Sequence, residues 1–216
     1  MAKDCSPPPY QPFDPSTPAA TPAPIATFQI DRPMQQDYYI YTNPNKDDFL
    51  RVEAHTSGIK SDLAFYRSNA PHRELMSCDF KEITKTVDKA FIRMPTGEMD
   101  VIWWAAGLDP KIPISVQYRF QARLRDPVDP FAIISGPVNS VNSQPFYWQG
   151  GSEWKLVHEA TGNVAAIARD VDIAARKYGS IDILMSYGDT FSIIVLSSYM
   201  TICERLKREA KKHRFW

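Results

Sequence analysis

The stretch Phe191-Ser-Ile-Ile-Val-Leu-Ser-Ser-Tyr-Met-Thr-Ile-Cys203 decides the fold of this 216-residue chain. Nine of its 13 residues are large and apolar, and none is charged. On a helix they cover nearly the whole circumference, which is typical of a helix surrounded by protein or lipid. Asp189 or Thr190 suits the helix start, because a side-chain oxygen there accepts a hydrogen bond from an otherwise unpaired backbone N–H. The pattern predicts a hydrophobic C-terminal helix over about 190–213.

The length of the apolar run favours a helix buried in its own protein. Thirteen helical residues span about 20 Å, whereas the hydrocarbon core of a bilayer is ~30 Å thick. Glu204 and Arg205 then end the run. A membrane segment, an interfacial segment and a strand stay open as alternatives.

Period-two alternation dominates the chain before this helix. From Ile114 to Leu124 every even position is apolar or aromatic and every odd position is polar. Alternate residues of a strand point to opposite faces, so this strand has a buried side and a solvated side. Similar runs occur at 37–41, 49–55, 62–67, 74–80, 89–94, 99–106, 146–149, 152–159, 163–169 and 180–186.

Ten to twelve strands at this spacing indicate an antiparallel barrel or sandwich, with the proline-containing stretch 126–142 as a long loop. A lone hydrophobic helix in such a chain needs enclosure, and a barrel supplies it. We therefore expect a mainly β fold, a closed antiparallel β-barrel of about 12 strands around a hydrophobic C-terminal central helix.

Proline marks the domain boundary, since nine of the 18 prolines lie within residues 1–33. Such a segment favours an extended, solvated conformation. We expect a disordered proline-rich arm over 1–25 and one folded domain over 26–216. Within the arm, Pro7-Pro8-Pro9-Tyr10 has the PPxY form that docks on the aromatic groove of a WW domain, because a preformed polyproline helix loses little entropy on binding. Ordinary linker composition is the alternative.

Composition argues against several classes of function. Lys+Arg 25 balance Asp+Glu 25, and a formal net charge of zero argues against a dedicated nucleic-acid binder. No glycine-rich phosphate loop, Gly-x-Ser-x-Gly elbow or Cys-x-x-Cys pair occurs, and the cysteines and histidines are scattered, so we expect no enzyme, metal or cofactor. His158 alternates with Trp154 and Leu156, which favours a histidine of the sheet wall over a catalytic base. No secretory signal is visible, which favours the cytoplasm.

The last third of the chain resembles the tubby C-terminal-like superfamily, which comprises tubby-like proteins, LURP-one-related proteins and phospholipid scramblases. Gly150–Val157 is similar to the tryptophan-containing strand of these proteins, Thr161–Arg169 to the next hairpin and its small-residue strand, and Gly179–Leu184 with Gly188–Leu196 to the last strand and central helix. The pattern is nearest to fungal tubby C-terminal-like proteins.

The resemblance implies a barrel around a central helix and phosphoinositide binding through basic residues of the barrel wall. It also implies an alternative, a phospholipid scramblase-like membrane protein with its C-terminal helix inserted in the bilayer. Scramblases likewise carry proline-rich N-terminal arms with PPxY-type motifs. Neither the acidic calcium-binding run of scramblases nor the C-terminal signature of tubby proteins is present here.

Two groups of basic residues are candidates for binding anionic membrane lipid. Arg119 and Arg123 project to the solvated side of their strand, and Arg125 extends the row, with a spacing of about 7–13 Å that suits a phosphorylated headgroup. The C-terminal tail adds further positive charges, among them Lys207, Arg208, Lys211 and Lys212, and ends with Phe215 and Trp216. The alternatives are ion pairs on a soluble outer face for the first group and complementation of the helix dipole for the second.

Overall fold

The computed structural model describes residues 22–33, 37–43, 48–55, 60–82, 88–94, 97–106, 115–124, 142–150, 153–172, 177–185, 187 and 189–213. Within these ranges the chain is mainly β, with antiparallel strands followed by one C-terminal helix, as expected. The elements are β1 Ala26–Asp31, β2 Asp37–Asn43, β3 Asp48–Ala54, β4 Leu63–Arg67, β5 Ala70–Glu82, β6 Asp88–Met94, β7 Gly97–Ala106, β8 Ser115–Leu124, β9 Asn142–Gln149, β10 Trp154–His158, β11 Val164–Arg169, β12 Ser180–Ile183 and α1 Asp189–His213.

Neighbours in the sheet follow the chain, in the order β1-β12-β11-β10-β9-β8-β7-β6-β5-β4-β3-β2. The first strand pairs on one side with β12, where Phe28 lies opposite Ile181, and on the other with β2. The alternation that predicted β8 is confirmed where its side chains are described, since Phe120 and Ala122 are buried while Arg119 is exposed. One face of the sheet thus builds the core and the other meets solvent.

The apolar run forms a buried helix, as its composition predicted. Every residue of α1 from Ile193 to Glu204 is buried. Three side-chain hydrogen bonds join it to three strands: Tyr38 (β2) to Glu204, Thr201 to Cys78 (β5) and Trp148 (β9) to Ser198. Because β2, β5 and β9 are well separated in the strand order, the sheet covers the helix from several sides.

The helix gives the sheet two distinct ends. Near the start of α1, Phe191 packs on Phe146 of β9 with their ring centroids 5.4 Å apart, whereas Arg208 near its other end contacts Asp62, just before β4. We call these the head end and the tail end, and at ~1.5 Å per residue they are about 25 Å apart. β1 also begins at the head end, where the Ile25 N–H donates to the Ile183 carbonyl.

Two strands differ from the predicted ones. β1 is absent from the predicted set, although Ala26, Phe28 and Ile30 alternate with polar residues, because the adjacent proline-rich arm masks this short signal. β9 begins at Asn142, before Pro145, whereas the strand is predicted from Phe146. Proline lacks an N–H group, but the Pro145 carbonyl still accepts a hydrogen bond of 2.9 Å from the Glu159 N–H. Apart from Asn142, the predicted loop 126–142 lies outside the described residues.

Candidate interaction surfaces

A buried charge cluster holds the tail end of α1. Glu204 is 1% exposed, and its carboxylate accepts hydrogen bonds from the Tyr38 hydroxyl at 2.7 Å, the Lys207 ammonium at 2.5 Å and Arg208 Nε at 3.1 Å. Lys207 and Arg208 stand three and four residues after Glu204, so one helix face brings all three together. Together they form a hydrogen-bonded ion cluster between the helix and β2.

Arg208 extends this cluster from β2 to the neighbouring part of the sheet around the start of β4. Its Nη1 pairs with Asp62 at 2.5 Å, its Nη2 donates to the His55 carbonyl at 2.7 Å, and its guanidinium lies 4.8 Å from the centre of the Phe80 ring. Asp62 in turn accepts the Phe80 backbone N–H at 2.8 Å. One arginine therefore ties α1 to the β3–β4 connection and to β5.

The surroundings of Glu204 favour its charged form. Burial alone raises the pKa of this carboxyl group, but the charge of Lys207 and the hydrogen bonds from Lys207, Tyr38 and Arg208 outweigh burial and leave the pKa below its ordinary value. The pKa of Tyr38 is strongly raised, first by burial and then by the negative charge of Glu204. Tyr38 thus stays a neutral donor to the ionised carboxylate.

The tail cations selected from the sequence consequently differ in their surroundings. Lys207 and Arg208 have intramolecular partners, and the Lys207 side chain is only 15% exposed, so their main role is to hold the helix. Lys211 and Lys212 lie in the last turn of α1, and their side chains are outside the described part of the structure. Membrane contact by these four residues stays a prediction.

Arg119 lies on the outer face of β8, as the alternation predicted. Its side chain is 47% exposed, pairs with Glu159 at 3.3 Å and lies 5.9 Å from the centre of the Tyr147 ring, the residue opposite it on β9. Arg123 is in the same strand, with its side chain outside the described part, and Arg125 lies outside the described residues. The ion pair expected as the alternative is present for Arg119.

The structure does not bring the two basic groups together. Tyr118 on β8 lies beside Arg205 near the tail end, and Phe120 stacks on Phe146 near the head end. The strand therefore runs toward the head end, so Arg123 lies near the head end while Lys207 and the residues after it lie at the tail end. A single flat membrane surface at either end meets one group and not both. Pro7–Tyr10 lies outside the described residues.

His158 is a buried residue of the sheet wall. Its Nδ1 lies 2.9 Å from the Thr161 hydroxyl and its Nε2 lies 2.9 Å from Gln144 Oε1. Because Gln144 Oε1 can only accept, Nε2 carries the proton that is donated to it, and in that tautomer Nδ1 accepts a hydrogen bond from the Thr161 hydroxyl. Nδ1 therefore holds the β10–β11 turn, and Nε2 holds β9.

Two cysteines are buried, and their thiols are expected to be unreactive. Burial raises the pKa of the Cys78 thiol to about 12 and that of the Cys203 thiol to about 12, so the reactive thiolate is scarce in both. With Cys5→Ser removing the third thiol, we expect the native protein to leave an aromatic disulfide reagent unconsumed at mildly alkaline pH. Unfolding in guanidinium should then release both thiols. Rapid labelling of the native variant would contradict the burial of these sulfur atoms.

The described residues contain no group of three histidine, cysteine or acidic side chains placed to hold a metal ion. No helix among them is both long and apolar enough to cross a bilayer. Fold and surface together define a class, a mainly β protein with a buried C-terminal helix and charged residues on its outside. No family model, curated protein or solved structure matches the chain.

The role of Glu204 was not predicted from the sequence, although the spacing of Glu204 from the cations that follow it was a visible signal. An acidic residue followed by cations at i+3 and i+4 is visible in Glu204, Lys207 and Arg208, and such pairs interact on one helix face. The partners Tyr38 and Asp62 lie more than 140 positions away, so only the folded chain reveals them.

Proposed function

We propose that this protein is a non-catalytic, tubby-like binding module of the cytoplasm. In this proposal it engages anionic membrane lipid such as phosphoinositide with its outer surface, and its arm recruits a WW-domain partner through Pro7–Tyr10. The fold proposed with it is a closed barrel of about twelve strands around α1. Pairing of β1 with both β12 and β2 supports that closure, and burial of α1 supports its central place.

The burial of α1 carries the proposal. The apolar residues of the helix occupy the interior, so the functional surface is the polar outside of the sheet and the loops at its two ends. The same observation favours a binding module over the scramblase-like alternative, because that alternative needs α1 in the bilayer, whereas here its apolar residues already have protein partners.

Arg119 supports lipid binding through its exposure. Exposed ion pairs contribute only about 0–1 kcal/mol, so the contact with Glu159 holds Arg119 weakly and a phosphate group can replace the carboxylate. Guanidinium groups bind phosphate with two parallel hydrogen bonds. Arg123 and Arg125 extend this row by the spacing of the sequence, and Lys211 and Lys212 are the remaining candidates at the tail end.

Co-sedimentation of the full chain with vesicles tests the lipid proposal. We expect binding to vesicles of phosphatidylcholine that contain phosphatidylserine or phosphatidylinositol bisphosphate, and little binding to phosphatidylcholine alone. Added salt should weaken the binding, because exposed charges are screened beyond about 10 Å at 0.1 M ionic strength. Equal and negligible pelleting with all three vesicle types would remove lipid from the proposal.

A further inference from the structure

Most described cations already have an acidic partner within the chain. Five arginines form such ion pairs: Arg51, Arg93, Arg119, Arg169 and Arg208. Arg67 and Arg73 differ, since within the described part of the chain neither side chain makes a hydrogen bond, ion pair or ring contact. A guanidinium without an acidic partner among these residues does not have to break an ion pair with them before it binds an external anion.

These two arginines share one exposed hairpin. Arg67 ends β4 and pairs with Ala70, while Tyr66 pairs with Glu74, so residues 71–73 are additional residues that bulge out of the ladder. Five of the seven residues from Arg67 to Arg73 are exposed. The segment Arg67-Ser-Asn-Ala-Pro-His-Arg73 contains no carboxylate. The nearest acid in sequence, Glu74, lies opposite Tyr66 on the outer face.

The hairpin lies at the head end. β4 starts next to Asp62, which pairs with Arg208 at the tail end, and runs away from it to Arg67. β1 begins at this same end, and β8 runs toward it with Arg123 near its end. At the opposite end, Lys207 and Arg208 are engaged with carboxylates.

We infer that the head end is the face that meets an anionic lipid surface, with Arg67 and Arg73 of the β4–β5 hairpin as the leading contacts. The inference rests on the proposed function and adds the orientation of the protein on the membrane. Exposed cations on a hairpin tip suit a planar array of phosphates, and guanidinium groups bind each phosphate at two points.

Charge-neutralising variants of the full chain test this inference. We expect Arg67→Gln combined with Arg73→Gln to weaken binding to phosphatidylcholine–phosphatidylserine vesicles about thirtyfold, since each cation near an anionic leaflet contributes appreciably. The matched control is Lys60→Gln with Lys155→Gln, two exposed cations that also lack a described partner and lie apart from the hairpin. It removes the same charge and should bind almost as the wild type does. Inorganic phosphate, titrated separately, should bind weakly, because the tip needs the array of charges on a surface.

The outcomes separate this inference from the proposed function. If the wild type fails to bind anionic vesicles, this inference and the lipid part of the proposed function both fall. If the wild type binds but the hairpin variant binds equally well, or the control loses as much, the head-end assignment is wrong and lipid binding stands. Arg67→Lys with Arg73→Lys keeps both charges and should retain most of the binding; a full loss there would also overturn the assignment. Unchanged thermal melting of each variant excludes unfolding as the cause.

Discussion

Glu204→Gln is expected to lower the free energy of unfolding by about 3 kcal/mol, because it leaves the partly buried Lys207 without its counter-charge and takes one of two carboxylate partners from Arg208. Lys207 and Arg208 both bond this carboxylate, and Tyr38 donates to it from β2. Glutamine keeps the size of the side chain, removes the charge and replaces one of the two accepting oxygens with a donor NH2 group. Equilibrium unfolding in urea measures the change. Glu74→Gln is the control, since Glu74 is exposed, and surface substitutions of this kind usually change stability by less than about 0.5 kcal/mol.

The same substitution has a defined pH dependence. The folded-state pKa of Glu204 lies below its ordinary value of 4.5, so its contribution to stability is fully present above that pH and is lost as the pH falls through the folded-state pKa. Protonated Glu204 resembles the glutamine of the variant. The stability difference between wild type and Glu204→Gln should therefore narrow as the pH drops below about 4.5. A difference that stays constant into that range, or one no larger than the Glu74→Gln control, would show that the charge of Glu204 does not stabilise the fold.

The sequence predicted the parts of the structure that depend on local pattern. Alternation over 114–124 predicted which side chains of β8 are buried, and the uncharged run from Phe191 to Cys203 predicted the buried helix. The first signal arises because one face of a strand is buried, and the second because all faces of a helix are buried. Both can be read from a single element without knowing which distant residues cover it.

The candidate site was less predictable because its partners are distant in sequence. The tail shows many cations, but only the fold shows that Asp62 and Tyr38 approach from 140 or more positions away and engage Arg208 and Glu204. Arg67 and Arg73 are the reverse case, because nothing in the sequence distinguishes them from the arginines that have acidic partners. They stand out only because so many other described arginines have acidic partners.

The charged tail end and the apolar interior depend on each other. Glu204 is ionised although it is buried, which is tolerable only because its hydrogen bonds and cations are held in fixed positions. Packing of the apolar part of α1 fixes those positions, since Glu204 lies within reach of Tyr38 at only one position of the helix along its axis. Loss of core packing should therefore also loosen the tail end.

Trp148→Ala is expected to lower the free energy of unfolding by about 4 kcal/mol, the usual cost of removing a fully buried aromatic side chain. Trp148 is completely buried, donates from Nε1 to the Ser198 hydroxyl at 2.9 Å, and lies 5.4 Å from Tyr199, measured between ring centroids. The substitution leaves a cavity between β9 and the middle of α1, and the melting temperature should fall by roughly 10 °C for a domain of this size.

A matched substitution separates packing on the helix from loss of an indole in general. Trp154 on β10 is half-buried and packs on Tyr118, so Trp154→Ala should cost clearly less than Trp148→Ala. Ser198→Ala, which leaves the buried Trp148 N–H without its acceptor, should cost about 1–3 kcal/mol. If Trp148→Ala and Trp154→Ala were equally mild and Ser198→Ala had no effect, α1 would not be packed against β9. The outer surface would then no longer be the only face left for binding, because the apolar helix itself would be free to meet a membrane.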